Sequence, residues 1–83
     1  MIAMVQQEEI NNYRERLAIH RRNLAQLLLQ EARHSSGYVP ISIINAIHEQ
    51  RCHIARIKHI LRSWDEHVDD YPDDDPPSFI YGP

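Results

Sequence analysis

Three residues whose types could do chemistry, His48, Cys52 and His59, recur at spacings of four and seven. On a helix that spacing places them within about 40° of one another. Zinc takes four nitrogen or sulfur ligands, or three and a water, at tetrahedral angles. His48 and His59 would stand three turns apart, roughly 16 Å along the axis, too far to share one ion without ligands from another chain. No metal site and no cofactor is expected, and Cys52 reads as a small buried thiol on a polar flank. A thiolate nucleophile at Cys52, beside His48 and His53, would also need an orienting third group and an oxyanion site, and the sequence offers neither. His34, His53 and His67 read as surface histidines. No GxSxG, HExxH, CxxC or Gly-rich phosphate loop occurs. The expectation is therefore a non-enzymatic chain with no catalytic residue.

The elements that carry these residues follow from periodicity. From about Ile2 to about residue 34 there is no Pro or Gly, and Ile10, Tyr13, Leu17, His20, Leu24, Leu27 and Glu31 recur at alternating spacings of three and four. That is the heptad rhythm of a left-handed helix pair. Residues 35–39 break the pattern, with Gly37 suited to the left-handed position after a helix end and Pro40 suited to a first helical turn. A second helix is predicted over about residues 40–66, with Ile43, Ile44, Ile47, Arg51, Ile54, Lys58 and Leu61 on one face, flanked by Ile57, Ile60 and Trp64. A short connection between two long helices makes them antiparallel neighbours. The predicted fold class is all-α, a long antiparallel hairpin that completes a four-helix bundle by homodimerisation.

The chain has 83 residues and a formal net charge of -3, enough for one small domain with a modest core. Its charge is unevenly placed. Residues 1–66 carry all nine Lys/Arg against seven Asp/Glu, whereas residues 67–83 carry five Asp and no Lys/Arg. Residues 1–66 are thus the predicted association domain, and residues 67–83, rich in Asp and Pro, are predicted to be a disordered or extended acidic tail. In that tail Phe79, Ile80 and Tyr81 read as a possible short docking element. A single cysteine, no basic and apolar leader, and no run of about 18 apolar residues make a cytoplasmic, membrane-independent protein the expectation.

Two features point to association. His20, Glu31, Arg51 and Lys58 occupy seam positions where leucine would be more stabilising, so each needs a partner or a route to solvent at the seam edge. Polar seam residues of this kind fix register and partner choice. Apolar residues also outnumber what one seam can bury: Ile57, Ile60 and Trp64 on the second helix, and Ile19 and Leu29 on the first, would face water in an isolated hairpin. The predicted interface is Ile10, Tyr13, Leu17, Leu24 and Leu27 with Ile47, Ile54, Ile57, Ile60, Leu61 and Trp64, and the partner is a second copy or a like helical module. Two other readings compete. Arg14, Arg16, Arg21, Arg22 and Arg33 make the first helix basic, and Arg14, Arg21 and Arg22 could meet nucleic-acid phosphates, although the net charge is negative and no recognition motif accompanies them. Alternatively, the acidic tail of a small regulatory protein could mimic DNA or fill a basic groove on a partner.

The series Tyr13-Arg14, Asn23-Leu24, Leu27-Leu28, Gln30, Gly37, Pro40, Ile47, Glu49, Arg51, Ile54, Arg56-Ile57-Lys58 and Leu61-Arg62-Ser63-Trp64 resembles a bacterial module. It is similar to the effector-associated, or death-like, adaptor domains of bacterial conflict and signalling systems, over roughly residues 10–75. The resemblance implies a short helical module at the N-terminus of a multidomain protein, recruiting an effector or sensor such as a protease, a TIR domain or a STAND-type NTPase by homotypic association.

Overall fold

A computed structural model of the chain describes residues 6–34 and 38–76. Helix α1 runs Gln7–Ala32, helix α2 runs Ile41–Ser63, and a single 3-10 turn spans Pro72–Asp74. Good helix formers without Gly or Pro sustain α1 over 26 residues, and Glu8 and Glu9 in its first turn complement the helix dipole. Its entry has no side-chain cap; the Gln6 carbonyl instead accepts from the Glu9 and Ile10 amides at 3.0 and 3.2 Å. At the start of α2, Pro40 lies one position earlier than expected. It is the N-cap rather than a first-turn residue, with φ -54° and ψ 140°, and its carbonyl accepts from the Ile43 and Ile44 amides. Helix α1 begins at Gln7 rather than at the expected Ile2, because Gln6 is extended at ψ 143°; the expected left-handed Gly37 lies outside the described residues.

The two helices are antiparallel: Tyr13 meets Trp64 near one end, and His20 meets His53 further along. The core is one heptad ladder against another. Ile10, Leu17 and Leu24 of α1 are buried against Ile47, Ile54 and Leu61 of α2, with Leu24, Ile54 and Leu61 wholly enclosed. Seven-residue spacing on both helices keeps every rung in one seam. Ile57, expected to face water, is buried at 6 % exposure, because the seam extends to its side of α2. Trp64 lies half-buried, edge-on to Tyr13 with ring centroids 5.4 Å apart, and caps the open end of the hairpin.

The largest departure from expectation begins at Trp64. Helix α2 was predicted to reach about Glu66 but ends at Ser63, since Asp65 adopts a left-handed conformation at φ 66°. The Asp65 amide donates to the Arg62 carbonyl and the Glu66 amide to the Leu61 carbonyl, each at 3.0 Å. These two bonds form a Schellman motif, with aspartate where glycine is usual. Asparagine and aspartate tolerate this conformation better than other side chains. The reversal returns the chain along the hairpin, so residues 67–76 are not the free tail that composition predicts. Val68 enters the core at 7 % exposure and Asp74 is buried at 3 %. Residues 77–83, with the proposed docking cluster Phe79, Ile80 and Tyr81, lie outside the described residues.

Removing volume from the seam should be costly. Ile54→Ala is expected to destabilise the fold by about 2–5 kcal/mol, whereas the same change at the exposed Ile41 should cost about 0.5 kcal/mol or less. Chemical denaturation of the two variants checks the difference.

Candidate functional site

A helical hairpin has two flanks where third elements can pack. In this protein they differ in chemistry. On one flank, Arg14 and Arg21 of α1 stand seven residues apart and face Arg51, Lys58 and Arg62 of α2, spaced by seven and four. Residues 66–76 lie across these cations as a strap. Arg14 Nη2 pairs with Glu66 Oε1 at 2.7 Å, and Arg14 Nη1 donates to the His67 carbonyl at 3.0 Å. Arg62 Nη2 reaches the Val68 carbonyl at 2.8 Å and Asp70 Oδ1 at 3.0 Å. Arg51 Nε donates to the Asp73 carbonyl at 3.0 Å.

Asp74 is the centre of the arrangement. Arg21 grips it in bidentate fashion, Nε to Oδ1 at 3.2 Å and Nη2 to Oδ2 at 2.7 Å, while Lys58 Nζ donates to Oδ2 at 3.0 Å. The Tyr71 amide adds a fourth bond to Oδ2 at 3.1 Å and closes the 3-10 turn that Pro72 opens. Arg21 also donates to the Asp69 carbonyl and lies 3.7 Å over the Tyr71 ring. Lys58 bridges to Asp70 as well. The polar seam position at Lys58 thus finds its partners on the strap. Among the described residues no buried side-chain nitrogen or oxygen lacks a hydrogen-bond partner.

Charge states follow from this packing. The Lys58 and Arg62 hydrogen bonds hold the Asp70 carboxyl down at about 2. Burial alone would raise Asp74, yet hydrogen bonds from Arg21, the Tyr71 amide and Lys58 outweigh it and leave its carboxyl below the usual range. Burial likewise works to lower Lys58, and the Asp70 and Asp74 carboxylates more than reverse that.

The other flank carries no strap among the described residues. His20 and His53 stack with centroids 4.6 Å apart, and His20 Nδ1 and Gln50 Oε1 share a 2.7 Å hydrogen bond. An amide oxygen only accepts, so His20 donates from Nδ1. Tyr13, Arg16, Arg56, Ile57 and Ile60 join the two histidines around a cleft of about 380 Å³, with the Arg16 guanidinium 5.2 Å above the Tyr13 ring. Tyr13, Leu27, Ile60 and Trp64 are half-buried.

The residues singled out from the sequence are therefore divided. Ile10, Leu17, Leu24, Ile47, Ile54, Ile57 and Leu61 form the core within one chain, and Tyr13, Leu27, Ile60 and Trp64 border the unstrapped flank. Of the polar seam residues, His20 faces that flank, while Arg51 and Lys58 hold the strap. Glu31 lines an apolar groove of about 390 Å³ with Ile44, Ile47, His48, Cys52 and Pro76. Cys52 is exposed rather than buried, 3.5 Å from His48 Nε2. Among the described residues no three His, Cys, Asp or Glu side chains gather as a metal site would require. His53 is not an ordinary surface histidine, being stacked on His20, whereas His67 is exposed and pairs with Asp69. Arg14 and Arg21, the arginines on which phosphate binding would depend, are engaged by the strap, and Arg22 is exposed. Glu66, Val68, Asp70, Tyr71 and Asp74 went unrecognised. Their signal was the repeat of acids at 66, 70 and 74 against cations at 14, 21, 58 and 62.

No helix among the described residues is long and apolar enough to cross a membrane. No protein-family model, curated protein sequence or solved structure matches the chain.

Two ion pairs of unequal burial give unequal expectations. Asp74→Ala removes the carboxylate partner of the low-exposure Arg21 and leaves Lys58 with Asp70 alone, and should cost about 3–5 kcal/mol, whereas Glu66→Ala breaks a solvent-screened pair and should cost about 0–1 kcal/mol. Urea denaturation separates the two. The pH response has a definite sign. Asp70 and Asp74 both titrate below their unfolded value of about 3.9, so their contribution is complete above that pH and is lost as pH falls through the folded values, which for Asp70 is about 2. Stability measured between pH 6 and pH 2 should decline across the lower part of that window, and less so in Asp70→Asn.

Proposed function

We propose that the chain is a non-enzymatic association module, which clusters or recruits a component by pairing its unstrapped flank with a second helical hairpin to complete a four-helix bundle. The observation that carries this reading is the contrast between the two flanks. One is covered by residues 66–76, while the other presents half-buried Tyr13 and Ile60 in a cleft with no third element over it among the described residues, with half-buried Leu27 and Trp64 elsewhere along the hairpin. Apolar side chains left half-covered beside a small core gain most from a like surface. The resemblance to bacterial death-like adaptor domains points the same way. Fixed polar groups at the centre of the flank, the His20–Gln50 bond and the stacked His53, would set the register of such a pair.

The test is solution mass by light scattering across a concentration range at low and high salt. A dimer that persists at high salt is expected, because apolar burial is little screened. Ile60→Asp or Leu27→Asp, at half-buried positions on this flank, should yield a helical monomer. Charges at Leu24 or Ile54 would instead break the chain's own core, since both are enclosed within one hairpin. A wild-type monomer at all concentrations would sink the homotypic form of the reading, and association that vanished with salt would point to phosphate or other ionic binding.

A further inference from the structure

The strapped flank already holds one acidic segment, the chain's own residues 66–76. Five cations from two helices converge on one short acidic segment, and the contacts go to side-chain carboxylates and to backbone carbonyls alike. Backbone capture of this kind reads the main chain of a short peptide, here one that turns through a 3-10 helix at Pro72–Asp74. The carboxylates at 66, 70 and 74, spaced by four, and an aromatic ring under a guanidinium supply the selectivity.

We infer that the face built by Arg14, Arg21, Arg51, Lys58 and Arg62 is a binding site for a short acidic, tyrosine-bearing segment of a partner protein, and that residues 66–76 occupy it as a tethered competitor. Three observations support exchange. The strap has one buried apolar anchor, Val68, while Tyr71 remains 53 % exposed. Its other buried contact, Asp74, is ionic. The strap is joined to α2 through Asp65, whose left-handed backbone is held by two hydrogen bonds at the helix end. The partner is specified by charge complementarity: the strap carries acids at 66, 69, 70, 73, 74 and 75 and no Lys or Arg. A short tether gives the strap an effective concentration on the order of millimolar, so a partner with the same sequence would bind detectably only when the strap is weakened.

The experiment uses the full chain and a fluorescent synthetic peptide with the sequence of residues 65–76, read by anisotropy. Two strap-weakened variants are compared with the unaltered chain: Val68→Ser, which keeps every ion pair, and Asp70→Asn combined with Asp74→Asn. Far-UV circular dichroism establishes which remain helical, and Val68→Ser covers the case in which the stranded cations of the double variant prevent folding. The peptide is expected to bind a helical variant at least tenfold more tightly than the unaltered chain, and Arg21→Glu added to that variant should abolish binding. Failure of the peptide to bind a helical variant would overturn the inference. So would equal binding by a single-stranded oligonucleotide of matched charge, which would make the face a non-specific cationic surface. The outcome is independent of the dimer reading, because the other flank is untouched by these substitutions.

Discussion

Asp74 is the constraint on which the third element depends. A carboxylate at 3 % exposure is tolerable only where hydrogen bonds replace its water, and this one accepts from Arg21, Lys58 and the Tyr71 amide. The dependence is mutual. Lys58 sits in the apolar seam at 6 % exposure, one helical turn from both Ile54 and Leu61, where an unpaired ammonium would be costly. Each charge is thus admitted by the other, and Arg21 fixes the geometry because its planar fork takes both carboxylate oxygens at once. A hydrophobic trio in the same place would stabilise as much or more. What the ions add is registration, since Asp74 has one position along the hairpin from which it can meet α1 and α2 together.

The heptad ladder was legible in the sequence because burial leaves a period. Leu24, Ile54 and Leu61 fall in the predicted stripes, and the antiparallel pairing follows from the short connection between two long helices. The strap left no period. Its composition, acids and prolines with little to bury, is that of a solvated tail, and composition treats each aspartate alike. Only Val68 and Asp74 are buried, and neither stands out from its neighbours. The legible clue lay elsewhere. Lys58 occupies a seam position that calls for leucine, and an ammonium buried there must have a carboxylate within reach. The turn at Asp65 was hidden for a different reason: the helix ends without glycine, by a Schellman motif whose left-handed residue is an aspartate.

The strap also changes what the basic residues of α1 mean. Arg14 and Arg21 look like phosphate ligands when read along one helix, yet both are neutralised by Glu66 and Asp74. The mildly basic body and the acidic end of the chain are two halves of one internal contact. This accounts for the uneven charge without a nucleic acid, and it leaves Arg16 and Arg56, on the other flank, as the cations beside the open cleft.

Covering one flank bears directly on assembly. A hairpin with two open flanks can pair through both, and each added copy then presents a fresh surface, so association does not close. Under the proposed association, residues 66–76 take one flank out of play, and a twofold pairing through the other would satisfy both copies at once. On the proposed reading the strap therefore sets a limit on assembly as well as adding Val68 to a small core. Release of the strap would expose five cations together with the apolar surface that Val68 covers, so the second face would select an acidic partner that also brings an apolar side chain. The two flanks could then serve two different contacts, one apolar and little affected by salt, the other ionic and screened by it, within a single pair of helices.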